Sequence, residues 1–193
     1  AGGTLNLPPG STLVFGGDNT DTIWNATNAS VGGSLVKVGT GTTRMNAGGT
    51  GDANLVISNG VISVNSSARL GSQYDITIDN GATLESTSSG VGSDFLAAGK
   101  LIMIGAGGGT LKVADGGAIL MVRDASVISG PGTLTKDGPG ELRTYNAEHS
   151  FGKLIVKQGL WTAGHSTSAG YATSFGAIPA ALAPDAITIQ NGA

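Results

Sequence analysis

One segment occurs twice in this chain, and that repeat limits the folds available to it more than any other feature. The first copy begins GSLVKVGTGT, and the second begins GTLTKDGPGE. Leu35 corresponds to Leu134 and Gly60 to Gly159, and both offsets are 99 residues (134 − 35 and 159 − 60). A long internal repeat is typical of stacked architectures, in which each repeat packs against its neighbours.

Within the repeat, short alternating segments are separated by glycine turns. In the second copy the alternation of apolar and polar residues predicts strands over residues 133–136, 141–144, 153–157 and 160–161. Glycine suits the turns because it adopts positive φ without steric cost. The 34 glycines among 193 residues therefore indicate many short strands joined by tight corners.

The two copies differ in length after their shared part. The motif DITIDNGA follows the first copy, and AITIQNGA follows the second at an offset that has grown to 111 residues (Ile187 against Ile76). The additional residues fall between 162 and 185, and loops are where repeat proteins accept insertions. We therefore expect any specific binding function to lie in the loop 162–185.

Composition excludes several classes of protein and site. The net charge is −3 and the ten Lys and Arg residues are scattered, so the electrostatic footprint of a nucleic-acid-binding protein is absent. No apolar run approaches the roughly 18 residues that a membrane span requires. Cysteine is absent, which excludes disulfides. Neither His149 nor His165 has a second ligand at metal-binding spacing, so no metal or cofactor is predicted.

Two all-β architectures are compatible with the pattern. Asn-Gly pairs such as Asn59-Gly60 and Asn80-Gly81 are hairpin signals and favour an antiparallel β-sandwich. The tandem repeat favours a parallel β-solenoid with turns of roughly 20 to 25 residues, stacked at about 4.8 Å. We predict the solenoid as one continuous unit over residues 1–193, with eight or nine coils and internal repeats at about 33–85 and 132–193.

Alternation also assigns the side chains of the repeat. Leu134 and Leu154 are predicted to point inward as members of an apolar ladder. Lys136, Asp137 and Glu141 are interpreted as corner and surface residues, because charged side chains are rarely buried.

The motifs GGSLVKVGTGT, GPGTLTKDGPGEL and FGAIPAALAPDAITIQNGA resemble the autotransporter-associated β-strand repeat of bacterial surface and secreted proteins. The second copy matches that pattern better, since the first lacks the Asp-Gly-Pro-Gly turn and the proline-containing loop. The resemblance implies a right-handed parallel β-helix, a secreted or cell-surface location, and a scaffold or adhesin role without an active site.

The leading functional hypothesis is an extracellular structural unit, a fibre, stalk or surface scaffold, without enzymatic activity. The strand-like segments near both ends predict head-to-tail association into a filament, or stacking on neighbouring repeats of a longer chain. The residues expected at these assembly ends are Leu5, Leu7, Leu13, Ile187 and Ile189.

Two further hypotheses remain open from the sequence. A glycan- or host-surface-binding module would use the 162–185 loop, with Trp161, His165, Tyr171 and Phe175 as candidate binding residues. A polysaccharide-degrading enzyme would need paired carboxylates, but the 13 acidic residues are mostly isolated in turns.

Overall fold

The computed structural model describes residues 3–28, 32–47, 54–70, 75–94, 99–122, 126–145, 149–164 and 185–190, which form parallel β-strands and one short 3-10 helix at Ser67–Leu70. The strands are β1 Thr4–Leu5, β2 Thr12–Phe15, β3 Thr22–Trp24, β4 Thr27–Asn28, β5 Ser34–Lys37, β6 Thr42–Met45, β7 Asn54–Ile57, β8 Val61–Val64, β9 Ile76–Ile78, β10 Ala82–Ser86, β11 Val91–Asp94, β12 Leu101–Ile104, β13 Gly109–Val113, β14 Ile119–Val122, β15 Val127–Asp137, β16 Glu141–Tyr145, β17 Ser150–Val156, β18 Leu160–Gly164 and β19 Ile187–Ile189.

The strands stack into three ladders. The first ladder runs β2-β5-β7-β9-β12 and continues into the beginnings of β15 and β17. The second runs β3-β6-β8-β10-β13 and continues into the ends of β15 and β17 and then β19. The third runs β11-β14-β16-β18, and β1 pairs separately with β4. These pairs are all parallel, so the predicted β-solenoid is confirmed and the antiparallel sandwich is wrong.

Strands β15 and β17 each pass from the first ladder to the second through a bend. In β15 the bend lies at Gly130, whose φ is +125°, and at Gly132. A Cβ at Gly132 would collide with the carbonyl oxygen of Gly105 in the preceding turn. Glycine is required at this bend because two turns of backbone come together without room for a side chain.

The described residues form about six turns of solenoid, so the expected eight or nine coils are wrong. Partners in successive turns are 20 residues apart between Leu35 and Leu55, but 26 apart between Ile76 and Ile102. Between Leu154 and Ile187 the spacing is 33 residues. Longer turns use more residues but add the same length to the rod, so the chain forms fewer turns than expected. At about 4.8 Å per turn the rod is roughly 30 Å long.

An apolar ladder fills the interior beneath each sheet. Along the first ladder the paired inward residues are Leu13, Leu35, Leu55, Ile76, Ile102 and Ile128. From Leu35 onward these side chains are almost completely buried. Period-two alternation produces this arrangement, because alternate Cβ atoms in a strand point to opposite faces of the sheet. The predicted inward positions Leu134 and Leu154 are likewise confirmed as core residues.

Equivalent strands of the two sequence copies lie on different faces of the solenoid. In the first copy β5 and β7 pair within the first ladder, and β6 and β8 pair within the second. In the second copy, 99 residues later, the end of β15 pairs with β17 in the second ladder, and β16 pairs with β18 in the third. The repeat is therefore a strand–corner–strand unit that different pairs of neighbouring faces accommodate.

The Asn-Gly pairs at 59–60 and 80–81 form corners of the solenoid, not β-hairpins, while the pair at 191–192 lies outside the described residues. Asn80 and Gly81 both have positive φ, +52° and +72°. Positive φ at both residues is what a tight two-residue turn requires. Here the strands on either side, β9 and β10, each pair with strands of neighbouring turns, because every turn stacks on the next.

Candidate functional site at the ends of the stack

The last strand leaves inward-facing side chains exposed. Ile187 and Ile189 pair with the buried residues Leu154 and Val156, so their register places them in the inward ladder. Nevertheless they are 50% and 71% exposed. Together with β17 and β18 they line an apolar groove of about 390 Å³, whose lining residues are Leu154, Val156, Gly159, Leu160, Trp161, Ile187 and Ile189. The groove is the upper surface of the core at this end.

Trp161 contributes to this groove from within the core. The residue is only 6% exposed, and its ring meets that of Phe151 edge-on at a centroid distance of 6.1 Å. The indole N–H donates a hydrogen bond to Oγ1 of Thr144 at 3.2 Å. The other candidate residues of the binding loop, His165, Tyr171 and Phe175, lie outside the described residues.

At the opposite end, the first turn is only partly covered. Leu13 and Phe15 continue the inward ladder of β5, yet both remain half-buried. Phe15 packs against Trp24 with ring centroids 5.0 Å apart, and this pair lies against the core. Apolar side chains that the register directs inward are therefore incompletely covered at this end as well.

The other two residues predicted for this end are placed differently from each other. Leu5 is half-buried in β1 and packs against the core. Leu7 is buried, and a Cβ added to Gly33 would lie 2.6 Å from that of Leu7. Leu7 therefore packs against the backbone of the second turn and does not form part of an exposed end surface.

Lysine side chains occupy two corners inside the solenoid. Lys37 is fully buried, and its ammonium donates to the carbonyl oxygens of Val38 at 2.7 Å, Gly39 at 2.8 Å and Asn59 at 3.5 Å. Asn59 belongs to the next turn of the solenoid. One cation thus contacts the corners of two successive turns.

Lys136 repeats this arrangement 99 residues later. Its ammonium donates to the carbonyl oxygens of Asp137 at 2.9 Å, Gly138 at 2.7 Å and Gln158 at 3.0 Å. The interpretation of Lys136 as a surface residue is wrong, because the residue is fully buried. The alternation contained the signal: Lys136 stands two residues after the inward Leu134, as Lys37 does after Leu35.

Burial lowers the pKa values of both lysines. It lowers the pKa of Lys136 to about 8, and the carboxylate of Asp137 partly opposes this change. Burial also lowers the pKa of Lys37, against the opposing influence of Asp18 and Asp21. Because three carbonyl oxygens accept from each ammonium, hydrogen bonding stabilises the charged form. Lys136 therefore carries its positive charge at neutral pH.

His149 is buried, and one of its ring nitrogens has a hydrogen-bond partner among the described residues. Its Nδ1 accepts a hydrogen bond from the backbone N–H of Ile128 at 3.0 Å, whereas no described residue bonds to its Nε2. Since Nδ1 accepts, the proton of the neutral ring lies on Nε2. Burial lowers the pKa of His149 to about 4, so the ring is neutral at physiological pH.

Charged side chains on the outer face of the second ladder form pairs between turns. Lys112 contacts Glu85 at 2.8 Å, and the register also places Lys112 opposite Asp137 in the next turn. Asp137 in turn contacts Lys157 at 3.2 Å. The outer row thus alternates in sign along the stack, and it shows Asp137 at the surface as expected.

The third ladder carries a smaller polar cluster on its outer face. Arg143 donates hydrogen bonds to the carboxylate of Glu141, and the hydroxyl of Thr162 donates to the same carboxylate. The Arg143 contact is the largest cause of a lowered pKa at Glu141. Glu141 is therefore an ionised, fully engaged surface carboxylate.

Within the described ranges, no group of three or more His, Cys, Asp or Glu side chains could hold a metal ion. The same part of the chain contains no helix long and apolar enough to cross a membrane.

The chain is similar to the adhesin BmaC autotransporter of Brucella suis biovar 1 (strain 1330). The two are 34% identical over 121 residues, which is 62% of this chain. The chain spans only 4% of the length of that protein. No family model matches the chain, and no solved structure matches it. The similarity and the β-solenoid together fit a repeat of the autotransporter passenger type.

Proposed function

We propose that this chain is a surface-exposed β-solenoid scaffold, a rod-like segment that supports or forms part of a bacterial adhesin. The observation that carries the proposal is the continuous parallel stack, in which inward aliphatic ladders run from β2 to β19. Each added turn extends such a rod by about 4.8 Å, so a solenoid spans distance economically. The similarity to an autotransporter adhesin supports a role at the cell surface.

Surface labelling of the source bacterium tests this proposal directly. Antibodies raised against the purified chain are expected to label intact cells, and protease added to intact cells is expected to remove the epitope. A periplasmic protein of the same cells, released only after lysis, serves as the control. Labelling that appears only after lysis would contradict a surface scaffold.

We infer further that the two partly covered ends are contact surfaces along the rod. Inward-facing Ile187 and Ile189 at one end belong to the second ladder, and Leu13 and Phe15 at the other end belong to the first; both pairs are incompletely covered. Another turn of solenoid stacked there would bury these side chains and pair the free strand edges. That turn belongs either to a neighbouring repeat of the same polypeptide or to a second copy of this chain.

A second candidate function is recognition of a glycan or host surface by the loop 162–185. The observation favouring it is the 33-residue spacing between the partners Leu154 and Ile187, against 20 between Leu35 and Leu55. In repeat proteins, a long loop inserted at one turn often carries the binding function. The described ends of this region are tied to the rod, since Lys153 contacts Asp185 at 2.8 Å.

A glycan array on two forms of the chain distinguishes the scaffold from the binding module. One form is the native chain, and in the other a short Gly-Ser linker replaces residues 165–184. If the loop recognises a glycan, only the native chain binds specific array positions. Identical profiles would contradict the binding hypothesis and leave the scaffold proposal unaffected.

A further inference from the structure

Two buried ammonium groups perform the same task at different corners of the solenoid. Lys37 and Lys136 are the largest fully buried side chains of the described chain. Their carbonyl partners correspond one to one across the 99-residue offset, with Asn59 of one corner matching Gln158 of the other. The same set of hydrogen bonds forms at two corners that lie on different faces of the solenoid. The arrangement is therefore a property of this type of corner and does not depend on one particular ladder.

Each ammonium has a complete set of hydrogen bonds, divided between two turns. Three N–H donors meet three carbonyl oxygens, two from the lysine's own corner and one from the corner above it. Burying a charge is costly unless every donor is satisfied. The third carbonyl, from Asn59 or Gln158, is present only when the following turn has docked in register.

The corner of the following turn has a backbone conformation that brings its carbonyl oxygen to the ammonium. Gly60 follows Asn59 with φ of +68°, and Gly159 follows Gln158 with φ of +73°. A Cβ on Gly60 would collide with the carbonyl oxygen of Gly39 and would lie 2.9 Å from Nζ of Lys37. Glycine is therefore needed for the upper corner to approach the lower corner closely enough to supply its carbonyl.

We propose that Lys37 and Lys136 are docking latches, each an internal cation that binds the glycine corner of the next turn and holds the two turns in register. The latch recognises backbone carbonyl oxygens, so its partner is any turn with a glycine corner at the correct height. In this chain the latched pairs are the turn of β5 with that of β7, and the later half of β15 with that of β17. The inference is independent of the proposed function.

Lys136→Met in the full chain removes the ammonium and keeps the unbranched aliphatic stem. The melting temperature is expected to fall by roughly 5–10 °C, because three buried carbonyls lose their donor. The matched control is Lys157→Met, which removes a half-exposed surface cation of the following turn and is expected to change the melting temperature by about 2 °C or less. A Lys136→Met protein as stable as the native chain would overturn the latch, since hydrophobic packing alone would then suffice.

Chemical rescue distinguishes the contribution of the positive charge of Lys136 from that of the volume its side chain fills. Lys136→Ala removes the atoms that propylammonium would replace, and 1-propanol is the neutral molecule of nearly the same shape. Propylammonium is expected to raise the melting temperature of the Ala variant, with no such rise from 1-propanol or in the native chain. Equal effects of the two compounds, or no effect of either, would overturn the proposal. Lys37→Ala provides the same test at the other corner if Lys136→Ala does not fold.

Hydrogen exchange shows whether each latch acts on its own pair of turns. Lys136→Met is expected to accelerate exchange about tenfold or more in β17 and β18, while β7 and β8 exchange as in the native chain. Lys37→Met is expected to give the reverse pattern. Uniform acceleration along the whole rod in both variants would show a general loss of stability and would overturn the local latch.

Discussion

At the scale of single residues, three buried polar side chains form hydrogen bonds with the backbone of a neighbouring turn. The ammonium groups of Lys37 and Lys136 reach carbonyl oxygens of the following turn. His149 accepts from the backbone N–H of Ile128 in the preceding turn. Stacking of the turns therefore determines which buried polar groups the interior tolerates, because an isolated turn could not satisfy them.

His149 makes the solenoid sensitive to acid. Its pKa is about 4 in the folded chain and about 6.5 in the unfolded chain, so between these values the unfolded state binds more protons. The free energy of unfolding therefore falls as pH decreases from about 6.5 to 4, by about 3 kcal/mol in total from this group, and is constant below that window.

Urea denaturation of the native chain and of His149→Asn between pH 7.5 and 4 measures this contribution. Asparagine offers an acceptor oxygen near the position of Nδ1 but does not titrate. The difference in stability between the two proteins is expected to change with pH across the window. A constant difference at every pH would show that His149 contributes nothing to the acid sensitivity.

Glycine is needed at a corner either because its φ is positive or because another turn of backbone leaves no room for a Cβ. Gly60 and Gly81 allow these two reasons to be distinguished. Both have positive φ, +68° and +72°. A Cβ on Gly60 would meet the carbonyl oxygens of Gly39 and Gly41, whereas around Gly81 nothing lies within 4 Å. Gly81→Ala is expected to cost about 1–2 kcal/mol from backbone conformation alone. Gly60→Ala should cost at least about 2 kcal/mol more, because two turns of backbone must separate.

Denaturant melts of the two variants check this difference. Equal losses of stability for Gly60→Ala and Gly81→Ala would mean that the close approach of the turns at Gly60 is not required.

At the scale of strands, side-chain rows along the stack have distinct roles on the two faces of each sheet. Inward rows are aliphatic ladders such as Leu55, Ile76 and Ile102. The outer row of the second ladder alternates in charge, with Glu85 opposite Lys112 in the neighbouring strand. The inner rows provide most of the stability, since fully burying each aliphatic side chain contributes about 1.5–3 kcal/mol.

The alternating outer row is expected to contribute less, because its charges remain accessible to solvent. A double-mutant cycle on Glu85 and Lys112 is expected to give a coupling of up to about 1 kcal/mol at low salt. Raising the NaCl concentration to about 1 M should reduce it, because the Debye length shortens to about 3 Å.

Lys112→Glu provides the converse test of the outer row. It should destabilise the chain more than Lys112→Ala, since like charges directly opposite in adjacent strands repel. Equal effects of the two substitutions would show that the alternation of charge has no influence on stability.

At the scale of the whole molecule, the outermost strands that the structure describes leave part of the core incompletely covered. Ile189 illustrates this, since its register places it inward and yet it is 71% exposed. Thr188 lies between the two inward isoleucines and faces outward on the same strand. The strand thus offers two positions that an additional turn would cover, Ile187 and Ile189, and one that would stay on the outer face, Thr188.

Ile189→Lys and Thr188→Lys test association through this end with matched charge changes. Analytical ultracentrifugation of the native chain is expected to show mass increasing with concentration. Ile189→Lys should prevent this increase because stacking would bury a lysine, while Thr188→Lys should leave it unchanged. A monomeric native chain over a wide concentration range would contradict association between copies, as would identical behaviour of the two variants.

The amino-acid sequence by itself determined the strands of the repeat, their aliphatic inward positions and the stacked character of the fold. Leu134 and Leu154 are buried as alternation predicted, because period two is a local property of extended chain. The 99-residue repeat identified the unit that recurs. These features depend on residues close together in the chain, so they can be read without tertiary information.

Only the tertiary structure decided three features of this protein. They are the face on which each copy lies, the number of turns and the burial of Lys136. Turn length depends on how loops such as the one before Ile187 are accommodated, and local patterns carry no measure of this. A buried ammonium is acceptable only because the next turn delivers a carbonyl oxygen from 22 residues away, that of Gln158. Charge in the sequence predicts exposure, whereas hydrogen bonding across stacked turns reverses that prediction.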